Sequence, residues 1–124
     1  MMRGFKDLLA YTKAFDLAMQ IFEVSKNFPK EETYSLTDQI RRSSRSVCTN
    51  LAESYRKRVY IKHFLSKVTD AQMENSETEV WLDFAVACEY ISEEKYSELL
   101  ALNDEVGKLL HHIFNNPKNY GAEV

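Results

Sequence analysis

The chain has 124 residues, 44% of them hydrophobic and 28% charged, with a formal net charge of −3. That is the size of one globular domain, spanning residues 1–124. A pI near 5.6 argues against a dedicated nucleic-acid binder. Three glycines and two prolines are too few to punctuate many short strands, so the expected class is all-α with a few long helices. No apolar run approaches the roughly 18 to 20 residues that span a bilayer, and the start lacks the apolar stretch of a secretory signal. A cytoplasmic protein with no membrane partner is expected.

The first periodic segment runs from about Phe5 to Lys26, with Phe5, Leu8, Leu9, Phe15, Ala18, Met19 and Phe22 at three-four spacing on one helical face. It stops at Asn27-Phe28-Pro29, because the residue before a proline is pushed out of helical geometry. A second helix is expected over about 36–57. Ser35 serves as its capping residue, with Asp38 three positions on, and its apolar stripe is Leu36, Ile40, Val47, Leu51 and Tyr55. Beside that stripe lie Ser43, Ser44, Ser46, Cys48, Thr49 and Ala52, small enough to let another backbone approach.

The third helix, about 60–91, is apolar at both ends and polar in the middle at Gln72, Asn75 and Glu79. At roughly 46 Å it would either protrude or be supported by neighbouring subunits. The fourth, about 93–115, starts at Ser92 as N-cap, with Glu93 and Glu94 in the first turn and Ile91 packing on Tyr96 as a hydrophobic staple. Its core positions are Tyr96, Leu99, Leu100, Asn103, Val106, Leu110 and Ile113, and a tail from Lys118 to Val124 is expected to fray. Short links make this an up-down-up-down four-helix bundle. Cys48 and Cys88 would sit about 30 Å apart on consecutive helices, beyond disulfide reach, as reduced small core residues.

The sequence carries no pattern for catalysis or for a cofactor. None of His63, His111 and His112 follows a glutamate by three residues, which removes the Glu-x-x-His pair of di-iron bundles. Adjacent His111 and His112 diverge by about 100° on a helix and cannot share one ion. There is no phosphate-cradling glycine loop, nucleophile elbow or paired-cysteine zinc motif. The expectation is a non-enzymatic protein with no metal site and no small-molecule substrate.

Charge placement is more informative. From Arg41 to Lys62 there are seven bases against one acid, and from Asp70 to Glu105 eleven acids against one base. Arg41, Arg45 and Arg56 fall within about 60° on a helical wheel, clear of the apolar stripe, and Lys57 and Arg58 continue the strip at the helix end. Such a strip suits a phosphate backbone, since arginine binds phosphate bidentately and releases counterions. The competing reading pairs these arginines with the acidic third and fourth helices, within the subunit or across an interface.

Several blocks resemble the four-helix-bundle proteins encoded in intervening sequences of bacterial large-subunit ribosomal RNA genes, relatives of the accessory variability protein of diversity-generating retroelements. They are Phe5-Lys6-Asp7-Leu8, Asn27-Phe28-Pro29-Lys30-Glu31-Glu32, and above all the run from Leu36 to Val47 followed by Asn50-Leu51-Ala52-Glu53; Glu77, Glu79 and Tyr90-Ile91-Ser92 agree. Where that family usually has Glu-Gly and then Gly-Arg after the second helix, this chain has Glu53 followed by Ser54-Tyr55-Arg56-Lys57-Arg58, a more basic and less flexible loop. The resemblance implies a ring-shaped homopentamer with a basic surface that binds ribosomal RNA or another nucleic acid. On that reading Arg41, Arg45, Arg56, Lys57 and Arg58 are the nucleic-acid contacts, and Arg42, Ser43, Asn50, Glu53, Glu77 and Glu79 the interface residues. The alternative is a structural or adaptor bundle whose arginines only hold the assembly together.

Overall fold

The computed structural model describes residues 4–124. Four helices carry the fold: α1 Leu9–Ser25, α2 Leu36–Arg56, α3 Ile61–Ala87 and α4 Glu93–Asn115. Short 3-10 turns occupy Phe5–Asp7, Lys30–Glu32 and Pro117–Tyr120, and no strand forms among the described residues. α1 and α3 each pack on both α2 and α4, so they stand at diagonal corners of the bundle. No helix among the described residues is long and apolar enough to cross a membrane.

α1 starts later than its periodicity predicts, because Leu8 adopts an extended backbone that turns its side chain into the core. The helix is also rotated from the expected stripe. Ala10, Ala14, Leu17, Ala18 and Ile21 face inward, while Leu9, Phe15 and Met19 are 56%, 51% and 45% exposed. Three alanines let α1 lie close to its neighbours, and close approach outweighs the larger transfer gain of the aromatic chains.

α2 buries Leu36, Ile40, Val47 and Leu51 as expected, together with Ser43, Ser44, Cys48 and Ser54. Its cap differs from the serine box. Glu32 Oε1 accepts from the Ser35 hydroxyl at 2.6 Å and from the Leu36 amide at 3.3 Å, and Glu32 Oε2 accepts from Tyr90 at 2.8 Å. The Ser35 hydroxyl, then the Tyr90 hydroxyl and the Leu36 amide, hold the Glu32 carboxyl below its usual range.

α3 ends in a Schellman turn: Tyr90 N donates to Ala85 O at 2.9 Å and Glu89 N to Val86 O at 3.0 Å, with Glu89 at φ 62. The helix therefore closes at Ala87, short of the expected Tyr90 or Ile91. That leaves Cys88 exposed, whereas Cys48 is buried and its thiol pushed up to about 11 by desolvation. α4 starts as expected, with Ser92 Oγ accepting from the Lys95 amide at 3.0 Å. The tail is docked instead of frayed: Ala122 joins the core, and Glu123 N donates to Arg58 O at 2.8 Å.

The core divides into two apolar clusters. One gathers Val47, Leu51, Phe64, Val68, Val106 and Leu110; the other Leu17, Ile21, Ile40, Leu82 and Leu99. A polar layer lies between them along α2, α3 and α4. Asn75 Nδ2 donates to the Asn103 side-chain and backbone oxygens at 2.9 and 3.1 Å, and Asn103 Nδ2 donates to Asn75 O at 3.1 Å. The Ser43 and Thr78 hydroxyls meet at 2.9 Å. Gly107 makes room for this layer, since a Cβ there would stand 2.9 Å from Asn75 Oδ1.

Leu51 and Leu82 are both 0% exposed, so truncating either to Ala should cost about 2 to 5 kcal/mol in urea unfolding, because apolar packing is removed and a cavity remains. Unchanged midpoints would contradict these core assignments. Gly107→Ala sets two effects against each other. Alanine gains about 1 kcal/mol of helix propensity, but the added methyl displaces Asn75 from bonds worth about 0.5 to 1.5 kcal/mol each and leaves buried amides unsatisfied at about 1 to 3 kcal/mol. Net destabilisation is expected, and a raised midpoint would show that the layer is soft.

Candidate nucleic-acid interface

The arginines fall into two groups at opposite ends of α2. Near its start, Arg41 Nε donates to Ser25 Oγ at 2.8 Å, and the Arg41 and Arg45 guanidinium carbons lie 4.9 and 5.6 Å from the centre of the Phe22 ring. Lys26 Nζ is 4.8 Å from the same ring. Lys26 also pairs with Glu23 at 3.2 Å, whereas for Arg41 and Arg45 the quadrupole of this half-buried ring stands where a counter-charge would. Arg42 points to the other side of α2, near enough to Glu74 to lower its pKa. Burial and the neighbouring Glu77 carboxylate act more strongly, and the net shift of Glu74 is upward.

At the far end of α2, Arg56 and Lys57 are exposed. Arg58 is held in place: its Nε donates to Tyr55 O at 2.8 Å, its guanidinium lies 3.6 Å from the Tyr55 ring centre, and its Nη1 would be 2.8 Å from a Cβ at Gly121. Gly121, at φ 86, admits that approach. A recess of about 400 Å³ beside it is lined by Gly4, Phe5, Lys6, Asp7, Tyr55 and Arg56. The fold thus brings Lys6 to the basic helix end, and exposed Tyr60, 61% accessible, stands just beyond it. No local pattern announces Lys6 or Tyr60 as site residues; only the docking of the N-terminal turn against α2 reveals them.

Among the described residues no ion pair uses Arg41, Arg45, Arg56 or Arg58. Among the described residues the pairs are Lys13–Glu105, Lys26–Glu23, Lys67–Glu53, Lys67–Asp70 and Lys95–Glu98, at 2.9 to 3.9 Å. The intrasubunit form of the competing reading therefore fails for Arg41, Arg45, Arg56 and Arg58.

The six residues expected at an interface are scattered. Ser43 is 1% exposed and bonded to Thr78, so its side chain offers nothing to a neighbouring subunit. Asn50 donates to Ser46 O at 3.0 Å, and Glu53 pairs with Lys67 at 3.4 Å. Glu77 accepts from Trp81 Nε1 at 3.3 Å, while Arg42 and Glu79 are exposed. The histidines are engaged separately. His111 Nε2 is 2.9 Å from Asn115 Nδ2, His112 Nδ1 is 2.6 Å from the Tyr120 hydroxyl, and His63 meets the Tyr60 ring edge-on. No group of three His, Cys, Asp or Glu side chains among the described residues is placed to hold a metal ion.

No curated protein matches the chain. Among solved structures it is similar to a protein of unknown function from the S23 ribosomal protein family of Bacteroides thetaiotaomicron VPI-5482. The identity is 30% and the TM-score 0.79, over 89% of this chain and 98% of that one. The family model described as 23S rRNA-intervening sequence protein matches residues 6–112. With most of its length matched by that model, the chain belongs to the 23S rRNA-intervening sequence protein family.

Proposed function

We propose that the protein is a cytoplasmic, non-enzymatic homo-oligomer whose basic surface contacts the phosphates of ribosomal RNA or another nucleic acid. The observation that carries this reading is the α2 end, where Arg56, Lys57 and Arg58 gather with Lys6, and where no ion pair among the described residues takes up Arg56 or Arg58. Arg58 is already immobilised on Tyr55, so little side-chain entropy is lost when it meets a phosphate. Exposed Tyr60 adds a ring on which an unpaired base can stack. The family's description names an intervening sequence of 23S rRNA, which makes structured ribosomal RNA the first ligand to test.

A second reading, assembly, is favoured for Arg41 and Arg45 by the surface they share with Phe22. Exposed Phe15 and Met19 lie on the same side of α1, and an apolar surface rimmed by arginine is typical of protein interfaces.

Light scattering should give a mass above a dimer, with five subunits the expected count; a monomer at tens of micromolar would overturn the homo-oligomer. Replacing Arg56, Lys57 and Arg58 together with Gln should weaken binding to structured RNA or duplex DNA and leave that mass unchanged. The slope of log K against log salt should fall by about 0.7 to 0.9 for each phosphate that is no longer neutralised. A changed mass would assign these residues to assembly. No binding by the intact protein at about 50 mM salt, where phosphate contacts are strongest, would defeat the nucleic-acid reading.

A further inference from the structure

Two exposed apolar faces of the bundle have no partner among the described residues. The first is on the outside of α1, where spacings of four and three put Phe15, Met19 and Phe22 on one stripe, with Phe15 and Met19 51% and 45% exposed and the cations gathered at Phe22. The second runs along the outside of α3, where Met73, Val80 and Phe84 are 65%, 46% and 54% exposed. Spacings of seven and four residues put those three on one stripe, which ends in a groove lined by Tyr34, Trp81, Phe84 and Cys88. Patches of this kind mark interaction surfaces.

Resting on the homo-oligomer reading above, we propose that the two faces are mates: the Phe15-Met19-Phe22 face of one copy, with Arg41 and Arg45, seats on the Met73-Val80-Phe84 stripe of the next, with Glu77.

Charge complementarity selects this occupant. Arg41 and Arg45 make no ion pair among the described residues, and both stand over the Phe22 ring. Beside the α3 stripe, Asp70, Glu74 and Glu77 lie on successive turns; Asp70 pairs with Lys67 at 3.9 Å and Glu74 feels Arg42, which leaves Glu77, bonded to Trp81, outside any ion pair among the described residues. The first face thus offers two arginines outside any ion pair among the described residues, and the second offers Glu77, on the same apolar ground. Height agrees as well. Phe22 follows Ile21, Phe84 precedes Ala85, and both of those buried neighbours belong to the same apolar cluster, so Phe22 and Phe84 lie in the same half of the bundle.

Their positions also determine how contacts propagate. α1 and α3 occupy diagonal corners, so the two faces look away from each other. A contact between unlike faces is heterologous, and each added copy leaves one face of each kind open until the chain of copies closes into a ring.

The test uses one variant defective on each face. Arg45→Glu reverses the charge of the first face, and Phe84→Asp puts charge into the second. Each alone should sediment as a monomer of 14.5 kDa, with native helix content by circular dichroism. Mixed one to one, they should form a heterodimer that grows no further, since only one intact face of each kind remains. A mixture that stays monomeric, or either variant keeping the intact protein's mass, overturns the pairing.

If a variant misfolds, an independent reading comes from Met19→Cys in the otherwise intact chain. The introduced thiol and exposed Cys88 should oxidise into a covalent ladder beyond dimers, and Cys88→Ser should abolish it. Dimers that persist with Cys88→Ser would show like faces meeting, against the proposal. An intact protein that is itself monomeric would instead sink the homo-oligomer reading; an oligomer whose variants behave otherwise sinks only the face assignment.

Discussion

The reciprocal bonds between Asn75 and Asn103 set the geometry from which the other features follow. Both amides are nearly or fully buried, and each donates to an oxygen of the other helix. Sliding α3 against α4 by one turn would strand both, at about 1 to 3 kcal/mol for each unsatisfied group, whereas apolar side chains tolerate such slips far better. Ser43 and Thr78 lock α2 to α3 in the same way, and the Arg41–Ser25 bond ties α1 to α2. The axial register of the bundle is therefore specified by polar contacts, while the apolar clusters above and below supply most of the driving force. That register places Phe22 and Phe84 in the same half and Arg56 in the other.

Separating the charges across the molecule has a related consequence. The bases of α2 and the acids of α3 and α4 belong to one chain, yet lysines make all of the ion pairs among the described residues. Arg41 and Arg45 lie over an aromatic ring and Arg58 over another, positions that immobilise a guanidinium without neutralising it. A charge held rigidly and left uncompensated contributes little to the isolated subunit and much to whatever opposite charge arrives from outside.

The class, the four helices and most of the α2 and α4 core positions were legible in the sequence, because Leu, Ile and Val recur there at helical spacing and dominate any periodicity. The rotation of α1 was not. Its inward face is built on Ala10, Ala14 and Ala18, which carry little hydrophobic weight, and its large residues look outward. The role of Asn75 was hidden for a related reason: its partner Asn103 is 28 residues away, and no local pattern reveals a pair that only folding brings together. The Glu32 cap and the docked tail likewise depend on Tyr90 and Arg58, supplied by other elements. At the candidate site the run Arg56-Lys57-Arg58 was legible because it is contiguous, and Lys6 was not because it joins by tertiary contact.

In the proposed ring, closure by rotation alone keeps every subunit pointing the same way. Arg41 and Arg45 lie near the start of α2 and Arg56 at its end, about 16 Å or more along the helix at 1.5 Å per residue. The seams between subunits and the basic helix ends are therefore separated axially, and all the ends gather on one face of the ring. A net charge of −3 per subunit repels a polyanion at long range, but at physiological salt that repulsion is screened beyond about 8 Å, and contact with the local cluster decides the sign. Each cluster alone offers only a few phosphate contacts. Repeated around the proposed ring, the clusters would bind one RNA at high effective concentration, so assembly would convert a weak patch into a binding surface. On the proposed reading, oligomerisation and nucleic-acid binding would use different arginines of the same helix, and the second would depend on the first without sharing residues with it.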